Sequence, residues 1–162
     1  LPNTAAALPA YILPKNVALM TKHGVYTTSE MMARHEIHME KYCKLISIEA
    51  ATLVDMVQHS ILHAASRYEG VLCQTILQKK QALPHAAESI LTLNGELLDD
   101  TVALKTALET APETDGEHML RYYHDTIFAQ MNKVRASIDK LETLVAGDYW
   151  PYPRYTDLLF SV

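Results

Sequence analysis

Apolar residues recur every three or four positions along most of the chain, which is the period of an amphipathic α-helix. The first long stretch of this pattern covers residues 28–83, and only Gly70 weakens it as a helix. Its apolar and small positions are Ile46, Ala50, Leu53, Val57, Ile61, Ala64, Tyr68, Leu72 and Ile76. The spacing predicts one helix of roughly 80 Å, which is longer than the diameter of a single domain.

Two further long helices are predicted after it. Pro84 suits the first turn of the second helix, where the missing N–H is not needed. A linker over 110–116 contains Pro112, and the third helix runs from about Asp115 to Ala146, before Gly147. The predicted core positions of the second helix are Ile90, Leu91, Leu97, Leu98, Leu104 and Leu108. Those of the third, at coiled-coil spacing, are Leu120, Tyr123, Ile127, Met131, Val134, Ile138, Leu141 and Val145.

A short helix is predicted before the long ones. Pro14 can occupy its first turn, and Gly24 accepts the left-handed conformation that ends it. Thr27 and Glu30 then form a capping-box pattern, which predicts the start of the first long helix.

The last fifteen residues differ from the rest, since they hold five of the twelve aromatic residues and two prolines, Pro151 and Pro153. Each proline fixes its own φ and restrains the residue before it, so an extended tail is expected. Five aromatic side chains left in water would favour aggregation. They are therefore expected to pack on the bundle, on a larger parent protein or on a neighbouring subunit.

These elements predict an all-α fold with no strand. The second and third helices together are about as long as the first, so an antiparallel bundle of long helices is the economical packing. We expect a single helical domain over 1–162, with an N-terminal arm and short helix at 1–27, the bundle at 28–146 and the extended tail at 147–162. The chain begins with Leu1 and not Met, which suggests a fragment of a larger protein.

Composition excludes several classes of protein. The chain of 162 residues is 49% apolar and 20% charged, which is typical of a protein with a core and not of a disordered one. A net charge of −5 without a dense Lys/Arg stripe argues against nucleic acid or an anionic membrane as the partner. No apolar run approaches the roughly 20 residues of a membrane span. Cys43 and Cys73 form no disulfide framework, both are expected to be buried, and a reducing cytoplasm fits.

Two groups of polar residues are candidates for metal sites. Asp55, His59 and His63 lie one helical turn apart, but on the face opposite the apolar stripe, which favours solvated side chains. The second group is His35, Glu36, His38 and Glu40. It lacks the His-Glu-x-x-His spacing, and no Glu in the chain has His three residues later, as di-iron bundles require.

The sequence also lacks motifs for other catalytic chemistry. It has no Gly-x-Ser-x-Gly and no glycine-rich phosphate loop, and neither cysteine lies in a motif for an activated thiolate. The methionines of the first long helix are most simply gap-filling core residues: Met31, Met32, Met39 and Met56. We therefore assign no catalytic, cofactor-binding or metal-binding residue to this chain.

Several motifs resemble the C-terminal region of the type III glutamine synthetases, over the whole length of the chain. The most specific are the turn at 22–25, Lys-His-Gly-Val, and the tail motif Trp-Pro-Tyr-Pro at 150–153. Arg34-His35-Glu36-Ile37, Ile48-Glu49-Ala50, Ala64-Ala65 with Tyr68, and Leu158-Leu159-Phe160 also match. His63 stands where we expect Pro in the family, which leaves a helix kink near position 63 open.

The resemblance implies a parent enzyme of several hundred residues that acts in the cytoplasm. Such enzymes ligate ammonia to glutamate through γ-glutamyl phosphate, using ATP and Mg²⁺ or Mn²⁺. Their catalytic domain lies upstream of this region, so no catalytic or metal residue is carried over. Because the parents assemble as stacked rings, the resemblance implies that the chain contacts the catalytic domain and neighbouring subunits of a homo-oligomer.

Three hypotheses follow. The first is a structural and assembly domain of a glutamine synthetase, without catalysis of its own. The second is a free-standing helical module whose aromatic tail docks on a partner protein. The third is a metal-binding bundle.

Overall fold

A computed structural model describes residues 3–79, 84–113 and 116–160. These residues form helices and connecting turns, and none of them lies in a strand, so the all-α prediction is confirmed for this part of the chain. The helices are α1 (Thr4–Tyr11), α2 (Pro14–Lys22), α3 (Thr28–Met56), α4 (Leu62–Lys79), α5 (Pro84–Glu109), α6 (Glu117–Tyr122), α7 (Ala129–Leu144) and α8 (Tyr155–Phe160). Two π-helical segments, π1 (Val57–Ile61) and π2 (Tyr123–Phe128), join α3 to α4 and α6 to α7.

The N-terminal 27 residues contain two helices where one was predicted. Asn3 caps α1 by accepting a hydrogen bond at Oδ1 from the N–H of Ala6, at 2.8 Å. The predicted bounds of α2 are confirmed, since Pro14 occupies its first turn and Gly24 follows it with φ of 64°. A side chain at this φ would be strained, which is why glycine suits the position.

The first long helix begins at the predicted capping box. The N–H of Thr27 donates to Oε2 of Glu30 at 2.7 Å, and the N–H of Glu30 donates to the Thr27 hydroxyl at 3.3 Å. Helical structure then continues from Thr28 to Lys79, and neither His63 nor Gly70 interrupts it. Residues 80–83, where the helix was predicted to end, lie outside the described residues.

By length and composition, the helical run Thr28–Gln78 is apolar enough to cross a membrane. The core helix of a soluble protein meets the same criterion, because its buried face is apolar. Buried residues of this run include Val57, Ile61 and Ala65, and 28% of its most apolar 18-residue window is buried.

The chain forms two compact units, and each is described by itself. Unit one consists of Leu1–Ala50 and Ala107–Ala129. Its apolar cluster contains Met39, Cys43 and Leu120, with Ala5, Leu8, Tyr42, Met119 and Tyr123 packed around them. In this unit α1 therefore packs against α3 and α6.

Unit two consists of Ala51–Thr106 and Gln130–Val162. Nε2 of Gln130, at the start of α7, donates to Oδ1 of Asp100 in the second half of α5, at 2.9 Å. Near the other ends of the two helices, Glu88 lines the same surface groove as Thr143. Residue numbers therefore rise along α5 as they fall along α7, and these two segments run in opposite directions.

The predicted core positions are mostly confirmed. No predicted position of the first helix is exposed, and none of the third is. In the second helix, however, Leu91 and Leu98 are 59% and 48% exposed, so their assignment to the core was wrong. Each directly follows a buried residue, Ile90 or Leu97, and one residue along a helix turns the side chain by about 100°.

The same rotation explains the correction of Met32, which is 40% exposed beside the fully buried Met31. Met39 is buried as expected and Met56 is partly buried. Of the two cysteines, Cys43 is buried as predicted but Cys73 is exposed, so that prediction was half wrong.

The described part of the tail, residues 147–160, contains turns, bends and a short helix. Residues 153–154 have no regular structure, but Tyr155–Phe160 forms α8, so the prediction of an extended chain was wrong there. The N–H of Arg154 donates to Oδ2 of Asp157 at 2.9 Å, which satisfies a backbone donor at the start of α8. This local cap favours a helix directly after the prolines.

Candidate functional site

Tyr149 and Trp150, at the start of the tail, pack within unit two. Trp150 is buried, and its backbone nitrogen lies 3.2 Å from the carbonyl oxygen of Ala146 and 3.1 Å from that of Gly147. The ring of Tyr149 lies against Tyr68 of α4, with 5.3 Å between the ring centres. This half of the tail is therefore attached to the chain's own core.

Arg154 connects the tail to the residue that follows the C-terminal end of α7. Its Nη2 donates a hydrogen bond to the carbonyl oxygen of Val145, directly after α7. A methyl group added at Gly147 would lie 3.3 Å from Cζ of Arg154, so the guanidinium would have to shift by a few tenths of an ångström to make room for it. Beyond this anchor, α8 turns Leu158 and Leu159 to solvent, at 64% and 76% exposure.

A surface groove of about 340 Å³ lies in unit one, between α1 and the α6–π2 segment. It is lined by Asn3, Ala5, Ala6, Pro9, Glu117, Leu120, Arg121, His124 and Asp125. Nη2 of Arg121 lies 3.6 Å from Oε2 of Glu117, and Nδ1 of His124 lies 2.7 Å from Oδ1 of Asp125. The arginine and the histidine of the lining are thus paired with its own carboxylates, and the lining offers neither a hydroxyl nor a thiol nucleophile.

Tyr42 lies beside this region and has a perturbed hydroxyl. Burial raises its pKa above the ordinary value, and the nearby Cys43, Asp125 and Glu49 raise it further. Tyrosine with a raised pKa stays neutral and does not become a base near neutral pH. Its effect is on the stability of unit one.

The structure confirms that Asp55, His59 and His63 are solvent-exposed. Nδ1 of His59 lies 2.9 Å from Oδ1 of Asp55, as an ordinary surface pair. Among the residues that the structure describes, no three His, Cys, Asp or Glu side chains are grouped as metal ligands.

The second polar group is not brought together. His35 is buried, and its Nε2 has no hydrogen-bond partner among the described residues. Glu36, His38 and Glu40 are exposed, and Oε1 of Glu40 accepts from Nζ of Lys44 at 2.6 Å. The burial of His35 could not be predicted from its type, since histidine is found both inside and outside cores.

One exposed apolar surface stands out in unit two. Leu91, Gly95, Leu98 and Val102 follow each other on α5 at steps of four, three and four, and we call them the outer seam. The three apolar side chains are 59%, 48% and 52% exposed. The spacing is that of the contact positions of a coiled coil. The outer seam therefore combines coiled-coil spacing with exposed apolar side chains.

Comparison with known proteins identifies the family. The family model of the glutamine synthetase C-terminal domain matches residues 1–80. A glutamine synthetase of Butyrivibrio fibrisolvens is 30% identical over 183 aligned residues, which cover all of this chain and 25% of that protein. Residues 1–80 of the chain belong to the glutamine synthetase C-terminal domain family.

Other glutamine synthetases align over nearly the whole chain as well. A type-3 glutamine synthetase of Dictyostelium discoideum is 29% identical, over 99% of the chain and 24% of that protein. A glutamine synthetase of Bacteroides fragilis is 23% identical, over 96% of the chain and 23% of that protein. The chain spans about a quarter of the length of these relatives, and no solved structure gives a significant match.

The resemblance indicated by the sequence motifs is therefore confirmed. The sequence prediction did not include the tail anchor Arg154, although it is the basic residue directly after the Trp-Pro-Tyr-Pro motif at 150–153. It also missed the outer seam, because Leu91 and Leu98 were assigned to the core. The heptad spacing of those two residues was the available signal.

Proposed function

We propose that this chain is a structural and assembly domain of a glutamine synthetase. The observation that carries the proposal is the alignment of the whole chain with the C-terminal quarter of glutamine synthetases. In this proposal the parent enzyme joins ammonia to glutamate, and the ATP and the Mg²⁺ or Mn²⁺ are bound by its catalytic part, upstream of this chain. The parent acts in the cytoplasm as a homo-oligomer.

The proposed architecture is an antiparallel bundle of the long helices. The opposite directions of α5 and α7 within unit two support it, through the contact of Gln130 with Asp100. Long helices of this kind bury narrow apolar seams at shallow crossing angles and form rigid rods. A rigid body of this type suits a part that positions other parts of an enzyme.

The partners proposed for the domain are the catalytic part of the parent and neighbouring subunits, and neither nucleic acid nor a membrane. Exposed apolar side chains support protein partners: Ile37, Leu45 and Ile48 on α3, the outer seam on α5, and Leu158 and Leu159 on α8. Large exposed apolar patches in soluble proteins usually mark interfaces.

The genomic reading frame tests the family role most cheaply. We expect it to continue upstream of Leu1 into a catalytic domain. A start codon directly before Leu1 would favour the free-standing interaction module instead.

The assembly role is tested by truncating the longer gene product before the residue equivalent to Leu1. We expect a lower native mass, or a lower thermal stability if the domain mainly covers the catalytic part. ATP binding by the truncated protein is the control that the catalytic part is still folded. Unchanged native mass and stability in a protein that still binds ATP would contradict the proposal.

A further inference from the structure

Helix α5 has two neighbouring seams of apolar residues. The residues of one seam are buried, and those of the other are exposed. The inner seam consists of Ala87, Ile90, Asn94, Leu97, Thr101 and Leu104, all of which are buried. The outer seam, Leu91, Gly95, Leu98 and Val102, follows the same seven-residue repeat on the neighbouring strip of the helix and is exposed. A helix that is apolar over two strips is typical of an element that packs on two sides.

We propose that the outer seam binds the outer seam of a second copy of this chain, with the two α5 helices antiparallel. The proposal deepens the assembly role proposed above, because it names the surface and the partner. A contact of this kind is isologous, since both copies use the same patch.

The charges at the ends of the outer seam support a second copy as the occupant. Glu88 and Lys105 continue its seven-residue repeat, one step before Leu91 and one step after Val102, and both are exposed. Along the sequence, Glu88 and Lys105 lie equally far from the midpoint between Gly95 and Leu98. When two copies align antiparallel about that midpoint, Glu88 of each copy faces Lys105 of the other.

The apolar residues match in the same alignment. Leu91 faces Val102 of the second copy, and Leu98 faces Gly95. A methyl group added at Gly95 would have no neighbour within 4 Å in the chain itself, so the glycine leaves a hollow in the seam. Such a hollow can receive a leucine from the facing helix, as a knob enters a hole.

Neither Glu88 nor Lys105 forms an ion pair within the described residues of the chain. Both charges are therefore available to a partner. The register is self-complementary in charge and in size, which a contact with an unrelated surface would not require.

The test is a charge-swap cycle, with the self-association of the 162-residue chain measured by analytical ultracentrifugation. Glu88→Lys and Lys105→Glu should each weaken the dimer about tenfold, because each turns two symmetry-related pairs into repulsive ones. The double variant Glu88→Lys/Lys105→Glu should restore most of the affinity, since it reverses both partners. Circular dichroism of each variant checks that the helices remain formed.

Two control variants make the same charge changes away from the seam, at exposed positions of unit two. Glu96→Lys matches the first substitution and Lys133→Glu the second. Both should leave the dimer unchanged. Leu98→Asp should abolish the dimer with the helical signal retained, because this side chain is already half exposed.

A wild-type chain that stays monomeric would overturn the proposal and make the catalytic part of the parent the candidate occupant of the seam. Single variants that behave like their controls, or a double variant as weak as the singles, would also overturn it. The outcome of the reading-frame test does not depend on any of these measurements. A failure of the dimer proposal can therefore be distinguished from a failure of the proposed function.

Discussion

At the scale of single residues, Arg154 holds the tail by one charge-assisted hydrogen bond to Val145 at the end of α7. We expect Arg154→Met to keep most of the aliphatic packing but to lose that bond, which costs about 2 kcal/mol of unfolding free energy. Urea unfolding of the chain measures the change. Arg67→Met, an exposed arginine of the same unit, is the matched control. Equal stability of the two variants would show that Arg154 does not fasten the tail.

Tyr42 makes the stability of unit one depend on alkaline pH. Burial is the main cause of its raised pKa, so the folded state favours the neutral hydroxyl. Its contribution is fully present below the ordinary tyrosine pKa of 10.0 and is lost as pH rises through the higher folded value.

As the pH rises from neutral to above 10.0, the unfolding free energy of wild type should fall. We expect a smaller fall for Tyr42→Phe. Denaturant midpoints measured across that range check this, with Tyr11→Phe in the same unit as the control. The same alkaline loss in wild type and Tyr42→Phe would contradict the explanation.

At the scale of elements, the capping box fixes where α3 begins. The hydrogen bonds between Thr27 and Glu30 satisfy backbone donors that the first turn cannot satisfy by itself. Thr27→Ala should lower the unfolding free energy by about 1 kcal/mol, as measured by chemical denaturation. Ser29→Ala lies two residues away in the first turn and should cost less. If both variants cost the same, the cap is not the source of the effect.

Asn94 is a buried polar residue in the inner seam of α5. Neither atom of its side-chain amide has a hydrogen-bond partner within the described chain. Asn94→Leu should therefore raise the unfolding free energy, by about 1–3 kcal/mol, because it removes an unpaired buried group. The reverse change at the next seam position, Leu97→Asn, should lower it. A destabilised Asn94→Leu variant would show that the amide has a partner or that leucine does not fit.

The bounds of the helices were the most predictable elements. Pro14, Gly24, the capping box and Pro84 act through local backbone geometry, and each marks a helix end as predicted. The π-helical segments π1 and π2 carried no comparable signal. They span only five and six residues, and π-helical segments of this kind have no residue pattern comparable to a proline or a capping box.

The candidate surfaces were harder to predict, for a different physical reason. On α5, large aliphatic residues occupy two neighbouring strips, and the sequence does not show which strip the chain itself covers. Residue type does not distinguish the strips, since Ile90 is buried and Leu91 is exposed. In the tail, the prolines indicated an extended chain, but the cap of Asp157 on Arg154 favours α8 directly after them.

At the scale of the whole molecule, we propose a helical scaffold, with the reaction taking place in another part of the parent enzyme. Two observations on the described side chains support a structural role for this chain. The charged groups of the unit-one groove are paired with each other. The outer seam, in contrast, has the spacing and exposure of a protein contact.

The most direct measurement is turnover by the purified 162-residue chain, supplied with ATP, glutamate, ammonia and Mg²⁺ or Mn²⁺. Under the proposed function, we expect this chain to produce no glutamine and no ADP above the level without protein, and we expect the longer gene product to produce both. Formation of glutamine by this chain in the absence of any upstream part would contradict the proposed structural role.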